Sequence, residues 1–236
     1  MFCHIKKIEP RKVSPEIEER VLVSPENTSY KMLCVKVLTI EPGKETEVLQ
    51  LGEERVFFIL DGRGTLTAKW IKADWAYTIR SDMAIWIPST IGCRIRNCGD
   101  APLRYLVGAC ATESKVDERF TSIQVVDIHE VPSIPLVGGN MKILFAPETL
   151  KAMGSTRFNL CGYNSLSPEA SLNPHVPTGR CEEIMYVTRG YGVMGVADEK
   201  RPVEPGSLVY VPVDTPHAVQ NTGKDALDFF VLESQK

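Results

Sequence analysis

The sequence has no long apolar segment and no strong charge of either sign, and both absences narrow its function. No run of about 18 apolar residues occurs, so we expect no membrane-spanning helix. The N-terminal stretch MFCHIKKIEPRKV contains basic residues but no apolar core, so we expect no signal peptide. The net charge of -3 is small and mixed, which argues against nucleic acid or a membrane surface as a partner.

Paired cysteine motifs are also missing. The seven cysteines are an odd number and include no Cys-x-x-Cys pair. In a chain without an export signal, this usage is typical of reduced thiols, so we expect a cytoplasmic protein. A Gly-rich phosphate loop and a Ser-His-Asp arrangement are absent as well, and only four histidines are present.

Short strand-like runs dominate the chain, whereas helical periodicity is scarce. Runs rich in Val, Ile, Tyr and Phe alternate with Gly, Pro, Asp and Asn, which is typical of an all-β barrel or sandwich. The clearest are residues 33–38, 56–60, 84–87, 184–187, 208–211 and 229–232. Short helices are predicted at Pro15–Arg20 and Glu148–Met153.

The second half of the chain repeats the first. Five segments recur in the same order, at offsets between 122 and 128 residues. They are VLVSPE and ILFAPE (from 21 and 143), IEPG and LSPE (40 and 166), ERVFFILDGRG and EEIMYVTRGYG (54 and 182), DMAIWIPSTIGCRIRN and GSLVYVPVDTPHAVQN (82 and 206), and LRYLV and LDFFV (103 and 227). Collinear repetition of this kind predicts two copies of one β-domain, spanning residues 1–115 and 116–236.

Each copy contains a Gly-x-Gly turn, at residues 62 and 64 and again at 190 and 192. A tight turn at these glycines predicts positive φ angles. A later strand in each copy ends at a proline and is followed by an asparagine of the type that favours turns.

These segments resemble the cupin superfamily, whose two motifs are G-x5-H-x-H-x(3,4)-E-x6-G and G-x5-P-x-G-x2-H-x3-N. Glu183 and Gly190 match the end of the first motif. Gly206, Pro212, His217 and Asn221 match the second, with Asp214 in place of its glycine. The resemblance covers both halves and therefore implies a bicupin, with two tandem jelly-roll β-barrels and few short helices.

In metal-binding cupins the motif His and Glu side chains converge on one divalent ion, and the resemblance implies His175, Glu183 and His217 as its ligands here. Two imidazoles and a carboxylate suit Fe, Mn or Zn. Strand alternation points Glu183 rather than Glu182 inward, on the same face as Met185 and Val187. His175 is one residue too far from Glu183 for the motif, and Cys181 is an alternative ligand.

The first barrel departs from the motifs. Arg55 stands at the Glu position and Cys93 at the His position, and residues 44–50 contain no histidine, so we expect no metal there. Arg55 and Cys93 should lie in the barrel interior. The alternatives for Arg55 are an internal ion pair with Glu45 or Glu47 and an anchor for a carboxylate-bearing ligand. Cys93 is expected to be either an inert buried side chain or a thiol activated by Arg55.

The favoured interpretation is a metal-dependent bicupin enzyme that acts on a small polar metabolite in the second barrel. The resemblance leaves the reaction open among dioxygenase, isomerase, decarboxylase and hydrolase. Met185, Val187, Tyr210 and Arg180 are the candidate pocket residues. The alternative is a non-catalytic small-molecule-binding bicupin with a degenerate metal site. A homo-oligomer, with a dimer favoured, is expected because sheet edges are ready templates for pairing.

Overall fold

The computed structural model describes residues 1–29, 33–46, 52–70, 73–112 and 122–235. Within these ranges the chain forms 21 β-strands, one short α-helix and three single-turn 3₁₀ helices. The predicted all-β architecture of two jelly-roll barrels is confirmed. No helix in the described ranges has the length and apolar character needed to cross a membrane.

The strands of the two halves follow one another in the same pattern. The first strands are β1 (Phe2–His4), β2 (Arg11–Ser14), β3 (Ile17–Val23), β4 (Leu33–Ile40), β5 (Glu53–Asp61), β6 (Arg63–Trp70), β7 (Ala73–Arg80), β8 (Met83–Ile87), β9 (Gly92–Asn97) and β10 (Leu103–Ala111). The remaining elements are β11 (Gln124–Asp127), β12 (Ile134–Leu136), β13 (Gly139–Phe145), α1 (Pro147–Ala152), β14 (Phe158–Leu166), β15 (Ser171–His175), β16 (Glu182–Arg189), β17 (Gly192–Val196), β18 (Glu199–Val203), β19 (Ser207–Val211), β20 (His217–Asn221) and β21 (Leu227–Ser234).

Each barrel consists of a large sheet that shares a core with a small one. In the first barrel the large sheet has the order β11-β8-β5-β10-β4-β3-β2, and the small sheet has the order β7-β6-β9. In the second barrel the corresponding orders are β1-β19-β16-β21-β14-β13-β12 and β15-β20-β17-β18. Equivalent strands occupy equivalent places, so the internal sequence repeat corresponds to a structural one.

Two strands lie in the sheet of the opposite half. The N-terminal strand β1 pairs with β19 of the second barrel, whereas β11, which follows the first barrel in sequence, pairs with β8 of the first. The predicted boundary between residues 115 and 116 falls outside the described residues. The swapped strands mean that any boundary there separates sequence repeats rather than whole sheets.

Side-chain alternation along the central strands divides the apolar residues among three cores. In β5, Phe57 and Ile59 face the interior of the first barrel, whereas Val56 and Phe58 face the second barrel. Strand β16 does the same, since Met185 lies in its own barrel and Tyr186 lies between the barrels. The rings of Phe58 and Phe230 stack across the junction with centroids 4.7 Å apart. Burial of large side chains from both halves therefore joins the barrels.

Two buried glutamates mirror each other at this junction. Glu54 of the first barrel accepts hydrogen bonds from Ser155 Oγ at 2.7 Å and from the Thr156 amide at 2.7 Å. Glu182 of the second barrel accepts one from the Ser29 amide at 3.0 Å. Each carboxylate thus accepts a hydrogen bond from the other half of the chain, which helps to offset the cost of burying it.

One predicted helix is wrong and the other is present. Pro15–Arg20 begins with a turn and continues into β3, where Ile17 pairs with Ile40 and Glu19 with Leu38. Pairing with β4 overrides the local helical propensity, because it buries Ile17 to 5% exposure. The helix predicted at Glu148–Met153 corresponds to α1, which starts one residue earlier at Pro147.

Only half of the predicted positive φ angles are observed in the Gly-x-Gly turns. Gly62 and Gly190 have φ angles of 89° and 80°. Gly64 and Gly192 do not have positive φ; they lie against a neighbouring strand, where a Cβ would come within 2.2 Å of the Arg96 carbonyl oxygen and 2.5 Å of the Gln220 carbonyl oxygen. The second glycine of each turn is therefore needed for space.

Candidate metal site in the second barrel

Glu183 projects into the second barrel from the middle of its large sheet. It lies on β16, directly opposite Val211 of β19 and Glu233 of β21. Its side chain is on the same face as Met185 and Val187, which belong to the core of that barrel. Only 5% of Glu183 is exposed, so its carboxyl group lies in an apolar interior.

His217 reaches the same interior from the small sheet. It begins β20, immediately after a turn in which Asp214 has a φ angle of 57°. Aspartate is one of the few residues that tolerate this left-handed conformation, which explains how it replaces the motif glycine. His217 is 3% exposed, and its Nε2 atom lies 3.6 Å from Oε1 of Glu183.

This separation fits two ligands of one ion better than a hydrogen bond. Imidazole nitrogen and carboxylate oxygen bind ions such as zinc at about 2.0–2.2 Å, so two ligands of one ion lie at most about 4.4 Å apart. A hydrogen bond would be about 2.7–3.2 Å long. The observed 3.6 Å between Nε2 and Oε1 therefore leaves room for an ion to contact both atoms.

Burial keeps both groups uncharged. Burial, with a smaller contribution from the neighbouring Glu233 carboxylate, raises the pKa of Glu183 to about 8. Burial, with a smaller contribution from His175, lowers the pKa of His217 to about 4. Near neutral pH the pair is therefore a carboxylic acid beside a neutral imidazole, and the imidazole is in the protonation state that binds metal ions.

His175 lies next to His217 at the end of β15. The two residues are paired in register, and their ring centroids are 4.2 Å apart. A register shift between Leu172 and His175 marks a bulge that contains Pro174. Because β15 is an edge strand of the small sheet, it accommodates both the bulge and the proline. The bulge explains how a histidine displaced in sequence is returned to the neighbourhood of the pair.

The tautomer of His175 is determined by its hydrogen bond. Nδ1 lies 2.9 Å from the Asn173 carbonyl oxygen, which can only accept, so Nδ1 carries the proton. The Nε2 atom of neutral His175 therefore retains its lone pair. The side chain is exposed, unlike those of Glu183 and His217.

Sequence reasoning missed Glu233, the fourth ionisable group of this cluster. It is 7% exposed and accepts a hydrogen bond of 2.6 Å from Asn159 Nδ2 and another from the Cys181 thiol. Burial raises the pKa of Glu233, and these two hydrogen bonds oppose the rise. A signal existed in the sequence: Glu233 follows the apolar run 229–232 with inward parity, at a position where the first repeat has Ala109.

The cluster is not a preformed metal-binding set. Across the described ranges, no group of three or more His, Cys, Asp or Glu side chains is already placed to hold a metal ion. What is present is the buried pair of Glu183 and His217, with His175 and Glu233 beside it. A third ligand would therefore have to come from a side-chain movement of one of these neighbours.

The four candidate pocket residues lie in three different environments. Met185 and Val187 are buried in the second barrel, on the same face as Glu183. Tyr210 does not lie there: it belongs to the cluster between the barrels, and its hydroxyl donates to Glu182 Oε2 at 2.7 Å. Strand alternation is the reason, because Tyr210 pairs with Ile184, which faces the junction. Arg180 is exposed and forms an ion pair with Asp214 at 3.4 Å.

In the first barrel, Arg55 and Cys93 are buried at 4% and 0% exposure. Arg55 forms an ion pair with Glu53 at 3.0 Å, rather than with Glu45, which pairs with Arg94 at 3.0 Å. Glu47, the other predicted partner, lies outside the described residues. A permanently charged guanidinium at the Glu position cannot act as a metal ligand.

Cys93 is not activated as a thiolate. Burial raises its pKa to about 11, although the positive charge of Arg55 partly opposes this rise. The desolvation of the thiolate therefore outweighs the attraction of the guanidinium.

Comparisons with known proteins support a cupin fold. A family model described as a Cupin domain matches residues 163–233, a range that contains Glu183, His217 and Glu233. An uncharacterized protein of Methanocaldococcus jannaschii is 43% identical over 42 residues, which are 18% of this chain and 34% of that protein. The match thus spans about a third of the length of this relative.

Solved structures match both barrels. The oxalate decarboxylase of Lactobacillus farciminis, in its formate complex, has a TM-score of 0.79 at 13% identity and covers 100% of this chain and 86% of its own. Vicilin from Corylus avellana has a TM-score of 0.77 at 14% identity, and the match covers 99% of this chain and 85% of the vicilin chain. At such identities the likeness shows the fold alone. Together, the cupin-domain match over residues 163–233 and the two-barrel fold support a bicupin architecture for the chain.

Proposed function

We propose that this bicupin binds one divalent metal ion in its second barrel and acts there as a metal-dependent enzyme on a small polar metabolite. The observation that carries the proposal is the buried pair of Glu183 and His217, with Nε2 and Oε1 separated by 3.6 Å. The first barrel, in which Arg55 and Cys93 replace the two ligands, would serve a structural role.

The metal-free cluster has an electrostatic cost that a cation would relieve. Glu183 and Glu233 face each other across adjacent strands, and both are buried. The described residues include no hydrogen-bond donor to the Glu183 carboxyl group. Two neighbouring carboxylates in an apolar interior cannot both ionise without compensation. A divalent ion supplies that compensation, so the residues present fit the group that the family suggests.

The ligand set would combine His217, Glu183 and one or both of the adjacent groups. His175 offers the unprotonated Nε2, and Glu233 offers a carboxylate that Asn159 already orients. Imidazole and carboxylate ligands suit Fe, Mn or Zn. Such an ion would supply Lewis-acid chemistry by polarising an oxygen atom of the substrate or of water.

The surrounding residues would exclude solvent and control access. Met185, Val187 and Phe229 belong to the apolar core of the barrel that holds the pair, and such surroundings strengthen electrostatic interactions. His175 is the exposed member of the cluster, so the end of β15 is the side from which a substrate would enter. An enclosed site of this kind suits a small polar molecule better than a polymer.

A second candidate function is non-catalytic binding of a small molecule. The observation in its favour is that no three ligands are already assembled in the described residues. The two functions differ in whether the metal ion is bound tightly and whether a bound metabolite is converted.

Metal content provides the first test. After reconstitution with Fe(II), Mn(II) or Zn(II) and removal of free ions, elemental analysis should find about one ion per chain. Glu183→Gln and His217→Ala should each lose most of this metal, because each removes a buried ligand. Glu182→Gln is the matched control: it changes the adjacent residue on the opposite face and should retain the metal, provided that circular dichroism confirms folding.

A wild-type protein that stays metal-free after reconstitution with all three ions would contradict the proposal. Turnover separates the two functions. The loaded protein is incubated with a mixture of small polar metabolites, which are then quantified by mass spectrometry. Conversion of a metabolite by the wild type and not by His217→Ala supports the enzyme, whereas retention without conversion supports the binding protein.

A further inference from the structure

A cavity separate from the candidate metal site lies outside both barrels, in the groove where their outer faces meet. We call it the inter-barrel groove; its volume is about 780 Å³, within the range of about 300–1,000 Å³ typical of small-molecule sites. Phe58 and Leu60 of β5 line one side, and Tyr186 and Thr188 of β16 line the other. None of His175, Glu183, His217 and Glu233 contributes to it.

The groove is built from equivalent positions of the two repeats. Phe58 corresponds to Tyr186, Leu60 to Thr188 and Arg104 to Asp228 in the sequence repeat. At all three positions the second half carries the residue with added hydroxyl or carboxylate oxygen. The two walls are therefore chemically different, although the backbone that forms them is repeated.

Cationic side chains surround the groove: Lys6, Arg20, Arg104, Lys142 and Arg189. Backbone carbonyl groups hold two of them, and one of these, Arg20, also forms an ion pair with Glu18 at 3.8 Å. Lys142 Nζ donates to the Ile128 carbonyl oxygen at 2.7 Å, and Arg20 Nε donates to that of Ile8 at 3.2 Å. Arg104 is partly neutralised by Asp61 at 2.9 Å. Lys142 and Arg189 form no ion pair within the described ranges, so both can bind an anion.

On the side of the groove formed by the second half of the chain, a chain of hydrogen bonds leaves unused hydrogen-bond acceptors. Thr188 Oγ1 donates to the Asp228 carbonyl oxygen at 3.1 Å, so the 2.8 Å contact between Thr188 and Tyr163 must use the tyrosine proton. The Tyr163 oxygen is then left as an acceptor. Asp228 is 9% exposed, and its Oδ1 atom is buried without a hydrogen-bond partner among the described residues. A buried carboxylate oxygen of this kind is satisfied by a ligand that donates hydrogen bonds.

We infer that the inter-barrel groove binds a small hydroxylated anion, such as a hydroxy acid or a phosphorylated polyol. Its phosphate or carboxylate group contacts Lys142 and Arg189, and its hydroxyl groups donate to Asp228 and Tyr163. Charge-assisted hydrogen bonds to the cations provide affinity. The acceptors provide specificity, because a simple anion has no donor for them. This site does not depend on a metal ion in the second barrel.

Calorimetric titration in the presence of a metal chelator tests the inference. The probes are glycerol 3-phosphate and glycerate, with inorganic phosphate and glycerol as their separated parts. At least one hydroxylated anion should bind about tenfold more tightly than inorganic phosphate, and glycerol alone should not bind measurably. The stronger of the two hydroxylated anions identifies which acidic group the groove prefers.

Variants then locate the binding site. Lys142→Gln and Arg189→Gln should each weaken binding at least about tenfold, as expected for the loss of a charge-assisted hydrogen bond. Lys224→Gln, which removes an exposed charge outside the groove, should leave binding unchanged. Asp228→Asn should weaken binding of the hydroxylated anion without weakening that of inorganic phosphate. Lys142→Arg keeps the charge and serves as the rescue variant if Lys142→Gln unfolds.

Three outcomes would overturn the inference. The first is equal affinity for the hydroxylated anions and inorganic phosphate. The second is equal weakening by Lys224→Gln and the groove variants. The third is loss of binding in His217→Ala with none in the groove variants, which would assign the ligand to the second barrel instead.

Discussion

Adjacent residues can have unrelated roles when strand alternation sends them to opposite faces. Glu182 and Glu183 are neighbours in β16, yet Glu182 lies at the junction between barrels and Glu183 lies inside one. Three donors satisfy Glu182: the Ser29 amide, the Tyr210 hydroxyl and the Ser234 hydroxyl. Glu183 has a lone-pair-bearing imidazole beside it instead. The first glutamate therefore serves stability, and the second is the proposed metal ligand.

Cys93 tests whether burial or the positive charge of Arg55 has the larger effect on the pKa of a thiol. With its pKa raised to about 11 by burial, only about one part in a thousand of this thiol is ionised at pH 8. We expect iodoacetamide to label the exposed Cys98 in the folded protein and to leave Cys93 unmodified until urea unfolds the chain. Peptide mass spectrometry measures both sites in one sample. Labelling of Cys93 at the rate of Cys98 would mean that Arg55 activates the thiol.

At the scale of elements, the Gly-x-Gly turns place two demands on glycine: a positive φ angle and room for a neighbouring strand. The first glycine of each turn meets both demands, since a Cβ on Gly190 would lie 2.2 Å from the Ala226 carbonyl oxygen, whereas the second glycine meets only the demand for room. The sequence motif does not distinguish the two glycines. The strands that approach the second glycine of each turn are β9 and β20, which are distant along the chain. The incorrect helix prediction at Pro15–Arg20 has the same cause, because the conformation of this segment depends on pairing with the distant strand β4.

Alanine substitutions measure the second demand. Gly64→Ala and Gly192→Ala should each lower the free energy of unfolding by about 1–3 kcal/mol, because the added Cβ overlaps a backbone carbonyl and forces the strands apart. Gly195→Ala is the matched control in β17: its Cβ would have ordinary contacts, at 3.5 Å or more, and should change stability little. Urea unfolding provides the comparison. Equal effects at Gly192 and Gly195 would contradict the steric explanation.

At the scale of the whole molecule, the two barrels are not independent. Strands β1 and β11 each complete the large sheet of the opposite half, and the largest apolar cluster contains residues from both. Glu54 and Glu182 also depend on hydrogen-bond donors across the junction. Separation of the halves would expose Phe58 and Phe230. It would also remove the Ser155 and Thr156 donors from Glu54 and the Ser29 amide from Glu182.

Expression of the halves tests this interdependence. We expect residues 1–121 and 122–236, produced separately, to aggregate or to lack a cooperative unfolding transition. Each lacks a strand of its large sheet, and each exposes several large apolar side chains worth about 1.5–3 kcal/mol apiece when buried. Co-expression should restore a one-to-one complex, detected by gel filtration with light scattering. A stable monomer with a steep unfolding transition from either half alone would contradict the prediction.

Much of the fold followed from the sequence because its signals are local or repeated. Strand runs, the tandem repeat and the inward parity of Glu183 all depend on alternation along single strands, which needs no knowledge of neighbours. The motif spacing also indicated His217, whereas His175 was a candidate although it lies one residue too far from Glu183 for the motif. Glu233 and Tyr210 were misjudged because their roles depend on which strand lies beside them and which face that strand turns inward.

The sequence by itself determined the two-barrel architecture, the divergence of the first barrel at Arg55 and Cys93, and the pairing of Glu183 with His217 as candidate ligands. The tertiary structure decided the rest: the swapped strands β1 and β11, the bulge that brings His175 beside His217, Glu233 opposite Glu183, and the groove between the barrels. The reason is physical. Alternation and spacing are properties of one segment, whereas registers, bulges and cavities arise when segments far apart in the chain pack against one another.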